Sequence, residues 1–139
     1  MTKIITLDGV EMPWRPGNRK QNKHRVSKLQ GIAINAIFSV LPGTPLILEI
    51  PIPVTTKKNL RLDIYLPRHR LAFEVMGAQH FKQVSHFGTN KDFHKQKVND
   101  ELKKEWCQLN NIGLIYLNYN EKEEEWIAKI RSSLNLSTL

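Results

Sequence analysis

The carboxylates of Asp63 and Glu74 are the groups in this chain whose type and spacing best suit chemistry. They lie in residues 60–66 and 71–76, two segments of alternating apolar and polar residues that predict a β-hairpin. If the hairpin places them opposite each other, they are about 5 Å apart, where like charges destabilise a sheet. A divalent cation relieves that repulsion, because Mg²⁺ binds one or two carboxylates with waters and phosphate oxygens. The acids predict either a metal site or two solvated groups on an exposed face.

The register of this hairpin follows from its turn. The polar connection at residues 67–70 has a common hairpin length and brings Leu66 opposite Leu71. Counting back along both strands from that pair places Asp63 opposite Glu74, on the face away from the large apolar residues. A slip of one residue would move both acids to the apolar face, so the apolar pattern specifies where they lie.

A glutamine and a histidine follow the second strand closely. Gly77 can break the strand and direct Gln79 and His80 back toward the two acids. Histidine is the side chain most often used as a general base near neutral pH. Asp, Glu, Gln and His in this order suit metal-assisted hydrolysis. In that interpretation His80 accepts a proton from water or orients it, and Gln79 holds the site by hydrogen bonds.

Three blocks follow one another in the chain: Leu62-Asp63-Ile64-Tyr65-Leu66-Pro67, then Phe73-Glu74-Val75-Met76-Gly77-Ala78-Gln79-His80-Phe81, then Asp100, Lys103, Trp106-Cys107, Asn110 and residues 112–117. In this order they resemble the very-short-patch-repair-like branch of the PD-(D/E)xK nuclease superfamily. The resemblance covers residues 45–120 or so. It implies a restriction endonuclease-like core, hydrolysis of DNA phosphodiester bonds with Mg²⁺ or Mn²⁺, and an origin in a phage or a mobile element.

The chain departs from this family at two places. The family pattern expects a lysine two residues after Glu74, where this chain has Met76. Some members supply that cation from a neighbouring helix, which makes Lys103 the candidate here and Lys82 the reserve. The cation would stabilise negative charge in the transition state. The first helix, which often supplies an acid in the family, has none here and offers only the amides Gln30 and Asn35 in its place.

The predicted elements run helix, strand, strand, strand, helix, strand, helix. Their predicted bounds are 23–41, 46–52, 60–66, 71–76, 94–110, 112–117 and 121–134. This order favours a small α/β or α+β domain in which helices cover a mixed four-stranded sheet. The resemblance implies the restriction endonuclease-like core, which has the same α-β-β-β-α-β-α order. The continuous apolar run at 112–117 predicts a buried strand parallel to a neighbour.

Two further features bear on the predicted site. Glu49, the only acid of the first strand, is either a third metal-binding carboxylate or a surface residue. The second helix has one apolar stripe, formed by Val98, Leu102, Trp106 and Leu109. This stripe is expected to pack on the sheet, with Lys103 on its flank.

The charge of the chain predicts a polyanionic partner. The formal net charge is +8, and no acid occurs between Glu11 and Glu49. The residues expected to grip phosphates are Arg15, Arg19, Lys20, Lys23, Arg25, Lys82 and His86. Such contacts give affinity and register on DNA but no sequence choice. Trp14, beside the first of them, either packs as an anchor or stacks on a base.

Length and composition limit the number of domains and the expected location of the protein. A chain of 139 residues predicts one domain, here residues 23–139 behind a basic, partly ordered arm of residues 1–22. The sequence has no run of 18 apolar residues, no signal-peptide pattern and one cysteine, Cys107, expected to pack as a small residue. The expected location is therefore the cytoplasm of a bacterial cell or of a phage-infected host, with no membrane partner.

The predicted function is a Mg²⁺- or Mn²⁺-dependent endonuclease or nickase acting on duplex or branched DNA. One alternative is a nucleic-acid-binding module that kept the fold and lost catalysis, which Met76 and the acid-free first helix favour. A second is a subunit that cuts only as a homodimer or with a partner protein, because 139 residues leave little room for a recognition domain. A third is action on RNA.

Overall fold

The computed structural model describes residues 2–16, 26–78 and 90–137. Its elements are β1 (Thr2–Ile5), β2 (Glu11–Trp14), α1 (Lys28–Val40), β3 (Ile47–Thr55), β4 (Lys58–Leu66), β5 (Leu71–Met76), α2 (Asn90–Leu109), β6 (Gly113–Asn118) and α3 (Glu123–Ser137). Within these ranges the fold is α/β, with a four-stranded sheet of order β3-β4-β5-β6. Its β5–β6 pair is parallel and the others are antiparallel. The α/β class, the mixed sheet and the parallel last strand are confirmed.

The central hairpin has the register that its turn predicts. Leu66 pairs with Leu71 and Ile64 with Phe73. At the edge of the sheet, β3 runs to Thr55, three residues beyond the predicted end, and a tight turn at residues 56–57 leads into β4. The prolines of β3 are tolerated because an edge strand needs fewer ladder hydrogen bonds.

Helices cover both faces of the sheet. On one face α1 and α3 enclose a core that includes Ile37, Phe73 and Ile130, all fully buried. On the other face α2 and the N-terminal hairpin enclose a second core that includes Ile52 and Trp106. The sequence pattern predicted half-buried strands, and the structure differs because α2 covers the face that carries the polar residues.

The regular alternation of β4 breaks at Asp63. Leu62 packs in the core beneath α2, whereas Ile64 packs in the core beneath α1 and α3, although residues two apart on a regular strand share a face. Opposite this break, between the pairs Leu48–Ile64 and Ile50–Leu62, lies Glu49 with a φ of 52°. A left-handed residue in one strand and a change of face in the next mark a local kink of the sheet.

The N-terminal region is more structured than predicted. Within the predicted arm, residues 2–14 form the β1–β2 hairpin, and Trp14 packs instead of stacking on a base. Its indole Nε1 donates to the Pro51 carbonyl at 3.1 Å, and its ring lies 5.2 Å from that of Tyr65. The hairpin was missed because its strands are short and lack a clear apolar alternation.

The face that α2 turns to the sheet differs from the predicted stripe. Trp106 is buried as expected, but Val98 is 56% exposed and Leu109 is 46% exposed, so the stripe was wrong for those two residues. Cys107 is buried instead, and Lys103 faces the sheet one turn before it. None of the helices in the described ranges is both long and apolar enough to cross a bilayer.

Candidate active site

Asp63 and Glu74 meet where the ladder between β4 and β5 ends. Glu74 Oε2 accepts a hydrogen bond from the backbone N–H of Asp63 at 2.8 Å. Asp63 Oδ2 accepts one from the backbone N–H of Val75, also at 2.8 Å. Each carboxylate thus bonds the backbone of the opposite strand beyond the last paired residues, Ile64 and Phe73. The two strands separate here, and their side chains converge in the space between them.

Lys103 reaches this pair from α2. Its Nζ donates to Glu74 Oε1 at 2.7 Å, and the two side chains are 15% and 3% exposed. The sequence placed Lys103 within reach of the acids, and the structure brings it into contact. Met76, at the position where the family pattern expects a lysine, is buried in β5. The cation of this site therefore comes from the helix.

Burial sets the protonation of the pair. Burial raises the pKa of Glu74 to about 8, the charge of Asp63 adds to the rise, and Lys103 opposes it. Burial alone would lower the pKa of Lys103, but Glu74 and Asp63 outweigh it and hold that pKa above its ordinary value. Lys103 therefore stays protonated at neutral pH, and Glu74 is the member of the pair that titrates there. Strong perturbation of this kind clusters at functional sites.

Gln30 of α1 fixes the backbone of Asp63 from the other face of the sheet. Its side-chain Nε2 donates to the Asp63 carbonyl at 3.3 Å, and the residue is buried. The sequence alone predicts no role for Gln30. Its signal was a polar residue in line with Ala33 and Ile37, at positions i, i+3 and i+7 of the apolar stripe of α1. A buried amide on such a stripe needs a partner, and Asp63 supplies it.

A cleft of about 360 Å³ opens beside the acid pair, between α2 and the β3–β4 edge. Its charged lining residues are Glu49, Asp63, Asp92, Asp100, Arg61, Lys95 and Lys103. The structure therefore brings Glu49 to the same cleft as Asp63 and Lys103. Acids and cations mixed in this way suit a ligand that presents both phosphates and a bound cation.

The acid pair offers a divalent cation two carboxylates. Asp63 Oδ1 accepts no hydrogen bond from any described residue, and Glu74 has both oxygens engaged, by Lys103 and by the Asp63 N–H. Across the described ranges no three His, Cys, Asp or Glu side chains are grouped to hold a metal. Two carboxylates fit the way Mg²⁺ is bound, with waters and substrate phosphates completing its shell.

The other predicted site residues divide into two groups. Arg15 is described and exposed. Those that lie outside the described residues are Gln79, His80, Lys82, His86, Arg19, Lys20, Lys23 and Arg25. Cys107 is buried against the site, and burial followed by the charge of Glu74 raises the pKa of its thiol to about 12. It is inert at neutral pH, as its sequence context predicted.

Two viral proteins are similar to this chain. Uncharacterized protein 307L of Invertebrate iridescent virus 6 is 43% identical over 76 residues, which cover 51% of this chain and 39% of that protein. Uncharacterized protein 094L of Frog virus 3 (isolate Goorha) is 38% identical over 78 residues, which cover 54% of this chain and 50% of that protein. The chain thus spans half or less of the length of these curated relatives. No protein-family model and no solved structure matches it.

Proposed function

We propose that this protein is a metal-dependent nuclease with a restriction endonuclease-like core that hydrolyses phosphodiester bonds in DNA. The observation that carries the proposal is the convergence of Asp63 and Glu74 where β4 and β5 separate, with Lys103 2.7 Å from Glu74. Two strand carboxylates and one cation are what the family resemblance implies, and Lys103 supplies the cation that Met76 does not. The net charge of +8 supports a polyanionic substrate.

Each residue has one role in this proposal. Asp63 and Glu74 hold Mg²⁺ or Mn²⁺, with Glu49 on the wall of the same cleft. The bound cation supplies Lewis-acid polarisation of the scissile phosphate and a more acidic water. Lys103 stabilises negative charge that develops on the phosphate. Gln30 keeps Asp63 in position through its carbonyl. The family resemblance assigns proton transfer to His80 and a hydrogen-bonding role to Gln79.

Cleavage of supercoiled plasmid tests the proposal directly. The parent protein is incubated with Mg²⁺ or Mn²⁺ and, separately, with EDTA. Asp63→Asn is the test variant, because the asparagine oxygen still accepts from the Val75 N–H while the charge is lost. Glu105→Gln, an exposed acid on α2, is the matched control. Nicked or linear plasmid is expected for the parent and the control with metal, and for neither with EDTA.

The cleavage rates of the variants show whether the activity comes from this site or from a contaminating enzyme. Asp63→Asn is expected to cut at least about 100-fold more slowly while it still binds DNA, since removal of a catalytic group or metal ligand costs two orders of magnitude or more. Cleavage by Asp63→Asn within a few-fold of the parent would remove the acid pair from the mechanism.

A second candidate is a nucleic-acid-binding module that does not cut. It is favoured by the ion pair itself, because Lys103 and the Asp63 N–H already satisfy both oxygens of Glu74. In that case the acid pair holds the hairpin together and the basic surface binds phosphates. A DNA mobility shift that weakens with salt, without turnover in any metal, would identify this function.

The setting and partners follow from the same proposal. The relatives in Invertebrate iridescent virus 6 and Frog virus 3 support action in the cytoplasm of an infected host cell. Duplex or branched DNA is the proposed substrate, and RNA is the alternative that shares its phosphate chemistry. A second copy of the chain or a partner protein is the proposed source of further recognition.

A further inference from the structure

A second cleft lies on the other flank of α2. It has a volume of about 360 Å³, within the range of small-molecule sites. Met76 and Asn118 line it at the carboxyl ends of the parallel strands β5 and β6, and Lys97 and Lys104 line it from the helix. Asp100 lines both this cleft and the one beside the acid pair. The two clefts therefore adjoin across α2, at the edge of the sheet where ligands of parallel strands bind.

Tyr116 gives this second cleft an aromatic wall. It is the β6 partner of Glu74 in the parallel register, so both side chains point to the α2 face of the sheet. Burial, followed by the charge of Glu74, raises the pKa of Tyr116 to about 12. The ring is half-buried and its hydroxyl stays protonated at neutral pH. A tyrosine so placed presents a flat apolar surface one strand away from the reactive acids.

We infer that this second cleft binds one unpaired nucleobase of the substrate strand, next to the phosphate held at Asp63 and Glu74. The inference rests on the proposed function and names its substrate class, a nucleic acid with an unpaired base near the scissile bond. Among the described residues that line the first cleft, most are charged and none is aromatic. The second cleft adds an aromatic ring and a thioether.

The lining offers a partner for each part of a nucleotide, beside the two acids Asp100 and Glu101. The Tyr116 ring offers a face on which a base stacks, and the largely buried Met76 adds an apolar contact beside it. Asn118 offers an amide that hydrogen-bonds to a base edge. Lys97 and Lys104 offer charge to the flanking phosphates. A fully paired duplex keeps its bases stacked inside the helix and cannot enter the cleft, so the cleft distinguishes unpaired from paired substrates.

The test places 2-aminopurine, a fluorescent base that stacking quenches, at one unpaired position in a bulged DNA duplex and in an RNA of the same sequence. Binding is measured by anisotropy and by quenching, in EDTA so that no strand is cut. Tyr116→Leu removes the ring but keeps an apolar strand residue, and Tyr116→Phe keeps the ring. Tyr119→Leu is the control, an exposed tyrosine on the same segment outside the cleft lining.

The inference expects the parent, Tyr116→Phe and Tyr119→Leu to quench 2-aminopurine. It expects Tyr116→Leu to lose the quenching and to bind the bulged strand about tenfold more weakly, with paired duplex affected less than about twofold. Whichever probe binds more strongly, the DNA or the RNA, identifies the type of nucleic acid that the cleft binds. Equal quenching by Tyr116→Leu and the parent, with both folded by circular dichroism, would overturn the inference.

Failure of this inference and failure of the nuclease proposal are distinguishable. The binding test needs neither metal nor turnover, so base binding that depends on Tyr116 stands even if no plasmid is cut. Plasmid cleavage that depends on Asp63, together with quenching that does not depend on Tyr116, would leave the nuclease without this subsite.

Discussion

At the scale of single residues, the unusual feature is that carboxylates take the place of ladder hydrogen bonds. Asp63 and Glu74 each accept from a backbone N–H of the opposite strand, so removing either side chain also removes a strand contact. Glu74 is almost fully buried, with a lysine as its counter-charge. Breaking a buried pair by removing one partner is costly, because it leaves the other charge uncompensated. Isosteric amides are therefore the informative substitutions at this site.

Glu49 is the residue where stability and function are expected to oppose each other. Its φ of 52° costs a non-glycine residue about 1–2 kcal/mol, and it occurs opposite Asp63 with the side chain at the cleft. Glu49→Gly removes that strain, so the free energy of unfolding is expected to stay level or to rise. Metal-dependent cleavage is expected to fall by about 10- to 100-fold. Urea denaturation and plasmid cleavage measure the two effects.

Glu49→Gln is the matched control for this prediction. It keeps the strained backbone and loses the charge, so it is expected to lose cleavage without gaining stability. A clear loss of stability in Glu49→Gly would instead show that the Glu49 side chain supports the fold at this position.

At the scale of elements, the sequence pattern predicted the hairpin and a second helix packed on the sheet, but not which residues that helix buries. The turn length and apolar residues were sufficient for the register that pairs Leu66 with Leu71. The change of face at Asp63 was not predictable, since it depends on a left-handed residue in another strand. The predicted stripe of α2 was wrong at Val98. Apolar periodicity does not reveal that the helix turns Lys103 toward the sheet, where it pairs with buried Glu74.

Asn110 is expected to hold the N-terminal hairpin to the rest of the fold. Its side-chain Oδ1 accepts from the Ile5 N–H at 2.7 Å, and its Nδ2 donates to the Ile5 carbonyl at 2.9 Å, as a neighbouring strand would. Asn110→Ala leaves those groups without partners. It is expected to lower the free energy of unfolding by about 1–3 kcal/mol, measured by urea denaturation.

A neighbouring residue provides the control. Asn111 has a φ of 57° at the end of α2, a conformation that glycine adopts freely. Asn111→Gly is therefore expected to be neutral or slightly stabilising. If Asn110→Ala unfolds at the same urea concentration as the parent, the remaining contacts hold the hairpin, including the hydrogen bond from Trp14 to Pro51.

At the scale of the whole molecule, the element order was enough to predict helices on a mixed four-stranded sheet, and not the N-terminal hairpin. The site draws on separate parts of that sheet and its helices: Gln30 from α1, Glu49 from β3, Asp63 from β4, Glu74 from β5 and Lys103 from α2. The sequence motifs identified Asp63, Glu74 and Lys103. Gln30 was missed because its role exists only once α1 packs on β4.

The stability of the whole molecule is expected to depend on pH through the ionisation of Glu74. Its pKa is 4.5 ordinarily and about 8 in the folded protein. Because the folded-state value is raised, its contribution to the free energy of unfolding is fully present below pH 4.5 and is lost as pH rises through 8. Glu74→Gln stays neutral, so this loss is expected to be absent from its profile of melting temperature against pH. Mg²⁺ binds the ionised form, so it is expected to reduce the loss in the parent and to have a smaller effect on Glu74→Gln. Parallel profiles for the two proteins in the absence of metal would contradict the buried, titrating carboxyl and, with it, the pH-dependent metal site.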